Sequence, residues 1–352
     1  MSTPNRRQFR QDEIDRMTPI ASQVVQMLGA STGNSREDAD NLNNLSRELL
    51  HVRATVVEVQ YPELRGMVFL PPADERLDPG ASHYTYNYTD RSGKSRMAGA
   101  MPVGNIPRAD VKTEQATPVE FQSMVLAYGF NLQELRASVM ARRPLPMQKA
   151  DATRKIMAQD HDDIILIGDG TADFKYLTGL FKQPIAGANA VATYTVPNGD
   201  AGSKTWELKT AAEIVADLHG LCNAVQLGTN GVEIPNLVGL PLTSYTVAST
   251  RRMGDGNSDS ALDFFINQRQ KMTGGAFQGV EPSVKLETAG ATATKRAIAY
   301  VRGGGKSFRA DSVEFEQMPP QIVGFDTVTN CHSRTAGCIV PFTKSIAYGD
   351  GI

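Results

Sequence analysis

Apolar residues recur at helical spacing in some stretches of the chain and alternate with polar ones in others. Ile20, Val24, Met27 and Leu28 share one helical face behind Thr18 as N-cap and Pro19 as first helical residue, and Gly29 stops the turn. Ser35-Arg36-Glu37-Asp38 resembles a capping box, and Leu42, Leu45, Leu49 and Val52 then form a narrow helical stripe. The rest of that helix is Asn, Asp, Arg and Glu. It docks by one thin seam, either on the chain's own body or on a neighbouring subunit. From Arg53 the period becomes two, and Ala54–Tyr61 reads as a Val-rich strand.

Met67 to Val111 is irregular, with Pro71-Pro72, Pro79-Gly80, Pro102, Gly104 and Pro107. Within it Tyr84, Tyr86 and Tyr88 alternate with Thr85, Asn87 and Thr89. Asp90-Arg91-Ser92-Gly93 has turn chemistry, which makes Lys94–Ala98 the expected returning strand of a hairpin with one tyrosine-lined face. With about 20 extended residues per arm, such a hairpin reaches about 60 Å. A compact chain of this length has a radius of gyration of only about 20 Å. A two-stranded hairpin that long does not stabilise itself in water, so it lies on another surface or folds back on its own domain.

Pro118–Phe130 reads as a strand. Asn131 with Glu134 then caps a helix that ends before Pro144. Pro146–Gly168 predicts a longer helix, spanning about 35 Å at 1.5 Å per residue. Met147, Ala150, Met157, His161 and Ile164 lie on its buried face, while Lys149, Asp151, Lys155, Asp162 and Asp163 face away. A loop-rich stretch from Pro184 to Ser203 leads into an α/β block. That block holds a helix over Leu208–Leu227, a buried strand Asn236–Pro241, and helices over Thr243–Arg252 and Ser260–Arg269. From Lys295 the chain returns to strands: Arg296–Val301, Ser312–Phe315, Gln321–Thr329 and Cys338–Phe342, with Thr343–Tyr348 as a last short one.

Composition narrows the classes. The 352 residues include 41% apolar and 21% charged ones, enough to build a core. Lys plus Arg number 36 against 38 Asp plus Glu, so the chain lacks the cationic excess that wrapping DNA requires. No apolar run is long enough to span a membrane, and no apolar stretch follows the polar, basic start. The 3 cysteines, an odd number widely spread, fit free thiols in a reducing compartment.

Candidate chemistry is sparse. Gly303-Gly304-Gly305-Lys306-Ser307 lacks the glycine a phosphate loop needs at the place held by Tyr300, and it reads instead as a Gly-rich hairpin turn. Cys331, His332 and Cys338 do not complete a four-ligand zinc set. Asp160-His161-Asp162-Asp163 are adjacent on a helix and point different ways, with His161 turned to the core. Asp255-Gly256-Asn257-Ser258-Asp259 lacks the downstream glutamate of a calcium loop, and no GxSxG elbow occurs. The expectation is a protein without catalytic residues, cofactor or metal.

The order of these parts resembles the major capsid protein of tailed bacteriophages, a fold shared with encapsulin shells. The stretches that carry the resemblance are Tyr84 to Gly93, Gly129–Ala150, Asp163–Leu180, Arg251-Arg252-Met253 with Ala261–Phe265, Phe315–Gly324 and Pro341–Ile352. The resemblance covers residues 50–352 and implies an α+β fold in six segments. These are an N-terminal arm (1–52), a strand with a long extended hairpin loop (53–117), and a peripheral domain with a spine helix (118–182). An axial α/β domain (183–305), returning peripheral strands (306–340) and a C-terminal axial segment (341–352) follow. It also implies self-assembly into hexamers and pentamers of an icosahedral head made in the bacterial host cytoplasm. The partners would be a portal protein, separate scaffolding and decoration proteins, and weakly held double-stranded DNA.

Tyr84, Tyr86, Tyr88, Arg91, Lys94 and Arg96 are the expected intersubunit residues of the hairpin loop, and Arg6, Arg7 and Arg10 the contacts of the arm. With only about 50 residues ahead of the core, neither an in-chain scaffold nor its cleavage is expected. Lys94 has no identified Asn partner, so assembly is expected to be non-covalent. Two competing readings are an encapsulin-like nanocompartment shell, told apart by its cargo, and an α/β enzyme, which would need a polar cleft.

Overall fold

The computed structural model describes residues 63–352 apart from 96, 98–106, 141–144, 169–176, 186–189 and 255–256. The arm arginines Arg6, Arg7 and Arg10, the Ala54–Tyr61 strand and Arg96 lie outside these residues.

The chain enters through a helical turn, α1 (Gly66–Phe69), that buries Phe69 and Leu70. Strands β1 (His83–Tyr84), β2 (Asn87–Ser92), β3 (Asp110–Gln115) and β4 (Val119–Glu120) follow. Next come β5 (Gln122–Asn131), helix α2 (Leu132–Met140) and the long helix α3 (Leu145–Leu166). The α/β block contains β6 (Ala192–Tyr194), α4 (Ala211–Gly228), β7 (Leu237–Pro241), α5 (Leu242–Thr250), β8 (Arg252–Gly254), β9 (Asn257–Ser260), α6 (Ala261–Met272) and β10 (Gly279–Ser283). Strands β11 (Arg296–Tyr300), β12 (Phe308–Gln317), β13 (Gln321–Val323), β14 (Asp326–Ile339) and β15 (Ile346–Asp350) complete the chain.

Two sheets organise these elements. The first has the order β10-β7-β11-β15-β6, with parallel outer pairs and antiparallel inner ones. Both of its faces are covered, and β11 shows how. Ala297 and Ala299 join the cluster of α4 and α6 with Leu218, Leu221 and Phe265, whereas Ile298 and Tyr300 turn to Phe69, Ile165 and Phe181. Two-residue alternation with both faces apolar gives a strand that is buried throughout. The second sheet joins β12, β14 and β13, with β5 paired along β14. Helix α3 packs along β5 and β14 and inserts Ile165 and Leu166 under the first sheet, so it connects the two.

Local signals explain the helix starts. Thr210 closes a full capping box with Glu213 ahead of α4, and the Ser260 side chain accepts from Asp263 N ahead of α6. Asn131 and Glu134 behave as the sequence predicts: Asn131 Oδ1 accepts from Gln133 N at 3.0 Å, and Glu134 reaches back to Asn131 N.

Several expectations need correction. The Asp90–Gly93 turn does not form, Lys94 and Ser95 are not part of a returning strand, and the rest of the expected Lys94–Ala98 return lies partly outside the described residues. Instead β2 continues through Ser92 and pairs with Asp110–Gln115, where Thr89 faces Thr113 and Asp90 faces Lys112. Six cross-strand pairs, one of them of opposite charge, outweigh the local turn signal. Asp162, assigned to the outer face of the long helix, is buried, because Gly66 N and Lys285 partner it there. Met147, assigned to the inner face, is 66% exposed. The separate strands Gln321–Thr329 and Cys338–Phe342 resolve into β13, a turn at Gly324 with φ +65°, and the 14-residue β14. The final strand begins at Ile346, after a single 3-10 turn over Thr343–Ser345. Gly303, Gly304 and Gly305 all have positive φ, and Gly303 bridges Ser307, which makes this segment the tight turn expected of it.

Candidate assembly surface

The three tyrosines of the hairpin do different jobs. Tyr84 packs edge-on against Phe308, ring centroids 5.9 Å apart, and with Tyr86 and Phe121 it borders the small core under β12 and β14. Partial burial raises the hydroxyl pKa of both Tyr84 and Tyr86. Tyr88 lies beyond this core and is exposed; its hydroxyl donates to Glu114 Oε2 at 2.6 Å, and that bond raises its pKa. The hairpin base is thus anchored on its own domain, and the intersubunit expectation narrows to what lies beyond Tyr86.

There the Asn87–Ser92 and Asp110–Gln115 ribbon is exposed at every position, on both faces. Its six-residue ladder is about 20 Å long at about 3.4 Å per residue. An isolated ribbon of two strands gains too little buried apolar area to hold itself in water. Arg91 and Lys94 stand at its far end, where with Arg108 they line a hollow of about 400 Å³. Among the described residues that line that hollow, none is a carboxylate. Sequence reasoning missed Arg108, Asp110, Lys112 and Glu114, although Val111 and Thr113 alternate with charged residues in the period of a strand.

The other candidates are structural. His161 Nε2 donates to Asp311 Oδ1 at 2.8 Å. Asp162 accepts from Gly66 N and pairs with Lys285, which also reaches Asp163 at 2.8 Å. One helical turn therefore anchors three elements and leaves no convergent catalytic set. Cys222, Cys331 and Cys338 are buried thiols with raised pKa values, the reverse of a reactive cysteine. Among the described residues no cluster of His, Cys, Asp or Glu has the composition of a metal site. No helix among them is long and apolar enough to cross a membrane.

The fold as a whole has counterparts among solved structures. The capsid of Myoviridae phage XM1 matches with a TM-score of 0.71 at 14% identity, over 87% of this chain and 98% of that one. The capsid of a native GTA particle matches with a TM-score of 0.54 at 12% identity, over 86% and 95%. Mycobacterium phage Bobi gives a TM-score of 0.54 at 10% identity, over 86% and 96%. The fold is accordingly that of phage capsid subunits. No curated protein matches the chain. The chain belongs to the major capsid protein family, which matches residues 103–352. Its role is structural.

Proposed function

We propose that the chain assembles with itself into hexamers and pentamers of an icosahedral phage head enclosing double-stranded DNA. The observation that carries this reading, beside family membership, is the ribbon exposed on both faces, which needs a surface outside its own domain. Residues 53–117 form the extended loop that crosses a neighbour, and residues 1–52 the arm. Residues 118–182 and 306–340 form the peripheral domain with α3 as its spine. Residues 183–305 and 341–352 form the axial domain around the five- and six-fold axes. Many copies multiply modest contacts into a stable cage, so no single interface has to be large. The near-neutral balance of 36 basic and 38 acidic residues suits a shell that encloses DNA without gripping it. The head is assembled in the host cytoplasm and takes in a portal protein, with separate scaffolding and decoration proteins.

The test is negative-stain imaging with sedimentation of the chain expressed alone and together with its neighbouring head genes. Closed shells or five- and six-membered rings are expected. Deleting 87–115 should abolish them, while a deletion reaching back to Tyr84 would also damage the subunit core. Absence of particles in both settings would sink the proposal, and particles filled with a protein cargo in place of DNA would turn it toward a nanocompartment.

A further inference from the structure

The two faces of the β2–β3 ribbon differ in charge. Residues directly opposite one another in an antiparallel ladder point to the same side. The register therefore puts Tyr88, Asp90, Ser92, Asp110, Lys112 and Glu114 on one face, where three carboxylates meet one ammonium group. Partners for this face are already at hand: Tyr88 donates to Glu114, and Asp90 stands opposite Lys112. The other face holds Asn87, Thr89, Arg91, Val111, Thr113 and Gln115. It has no carboxylate, and it leaves the Val111 side chain 59% exposed. At its end Arg91 joins Lys94 and Arg108 around the hollow.

Burial treats these faces differently. Interface centres are depleted of charge, and desolvating carboxylates that outnumber their cations is costly. A surface of Thr, Val, Asn and Gln has no carboxylate to desolvate, presents β-branched side chains to pack, and offers amides and hydroxyls that can hydrogen-bond across an interface. A subunit of a shell has other copies of itself as its neighbours. With 38 acidic against 36 basic residues, such a copy has carboxylates to set against the cationic end. We propose that the ribbon docks on a second copy of this chain through Asn87, Thr89, Val111, Thr113 and Gln115. Arg91, Lys94 and Arg108 engage carboxylates of that copy, and the acidic face stays toward solvent. This rests on the intersubunit reading of the ribbon given above.

The experiment compares full-length variants in the expression setting where the wild-type chain forms particles. Particle yield is read by sedimentation velocity, and subunit folding by thermal melting. Thr89→Asp should lower the yield at least about tenfold, as burial of an uncompensated carboxylate requires, with the subunit melt unchanged. Arg91→Glu/Arg108→Glu should do the same, whereas Asp90→Asn/Asp110→Asn/Glu114→Gln should assemble like wild type. If the last variant fails and Thr89→Asp assembles, or if both assemble, the assignment of faces is overturned. If deleting 87–115 leaves closed particles, the intersubunit reading itself falls.

Discussion

His161 on α3 and Asp311 on β12 meet at 2.8 Å, joining the long helix to the four-stranded sheet through one partly buried hydrogen bond. Burial alone would raise the Asp311 pKa, but His161, Thr335 and Arg309 outweigh it and hold the carboxyl below its usual range. A carboxylate with a depressed folded pKa adds stability above its unfolded value of about 3.9 and loses it as pH falls through the folded value. Asp311→Asn should therefore cost about 3 kcal/mol at neutral pH, since it takes a charged partner from the buried Arg309. The gap to wild type should narrow below about pH 4. Urea unfolding at several pH values measures this, and a gap independent of pH would refute it.

Asp162 gives a ranking of variants. Its carboxylate accepts from Gly66 N and pairs with Lys285, so two partners depend on one buried group. Asp162→Ala orphans the backbone N–H and should lower stability by about 3 kcal/mol. Asp162→Asn keeps an acceptor for Gly66, and Lys285 retains Asp163, so its loss should be about half as large. Equal loss in thermal melts of the two variants would contradict the partnering described.

Lys209 and Asp217 form a 2.6 Å ion pair inside the α/β block, both side chains almost wholly buried. Trp206 Nε1 also donates to Asp217, at 3.0 Å, and Lys209 donates to Pro197 O at 2.7 Å. Lys209→Met leaves the carboxylate uncompensated and should cost about 3–5 kcal/mol. Adding Asp217→Asn removes the stranded charge while keeping an acceptor for Trp206, so the double variant should recover part of that loss. Chemical denaturation of the single and double variants tests it; a double variant weaker than Lys209→Met would overturn the account.

Local patterns made much of this fold legible. Helix α2 starts where the Asn131–Glu134 cap places it, and α4 and α6 overlap the helices expected over Leu208–Leu227 and Ser260–Arg269. The buried strand Leu237–Pro241 follows from its unbroken apolar run. What local pattern could not supply was partnering at a distance. Asp162 looked solvent-facing because Gly66 and Lys285 lie far from it in sequence. The hairpin return looked immediate because Ser92-Gly93 has turn chemistry, whereas Thr89 and Asp90 find Thr113 and Lys112 more than 20 positions further along the chain. The site was legible to the same degree: Arg91 and Lys94 were found, but Arg108 reaches them only through a register that no short-range signal encodes.

Gly239 sits in the middle of β7 because three side chains occupy the space beside it. A Cβ there would lie 2.7 Å from Ile298 Cγ2, 2.9 Å from Phe69 Cε1 and 3.3 Å from Leu286 Cδ1. Phe69 cannot retreat freely, since it stands edge-on to Phe181 with ring centroids 5.3 Å apart. Replacing a strand glycine usually stabilises by reducing unfolded-state entropy, by up to about 1 kcal/mol. Overpacking here opposes that gain and should exceed it, so Gly239→Ala is expected to destabilise by about 1–2 kcal/mol. Phe69→Leu alone also destabilises, because it leaves space in a packed cluster. Together the two changes should cost less than their sum by about 1 kcal/mol, as the smaller side chain admits the new methyl group. A double-mutant cycle by urea denaturation would show this coupling, and strict additivity would mean that Phe69 is not what holds position 239 to glycine.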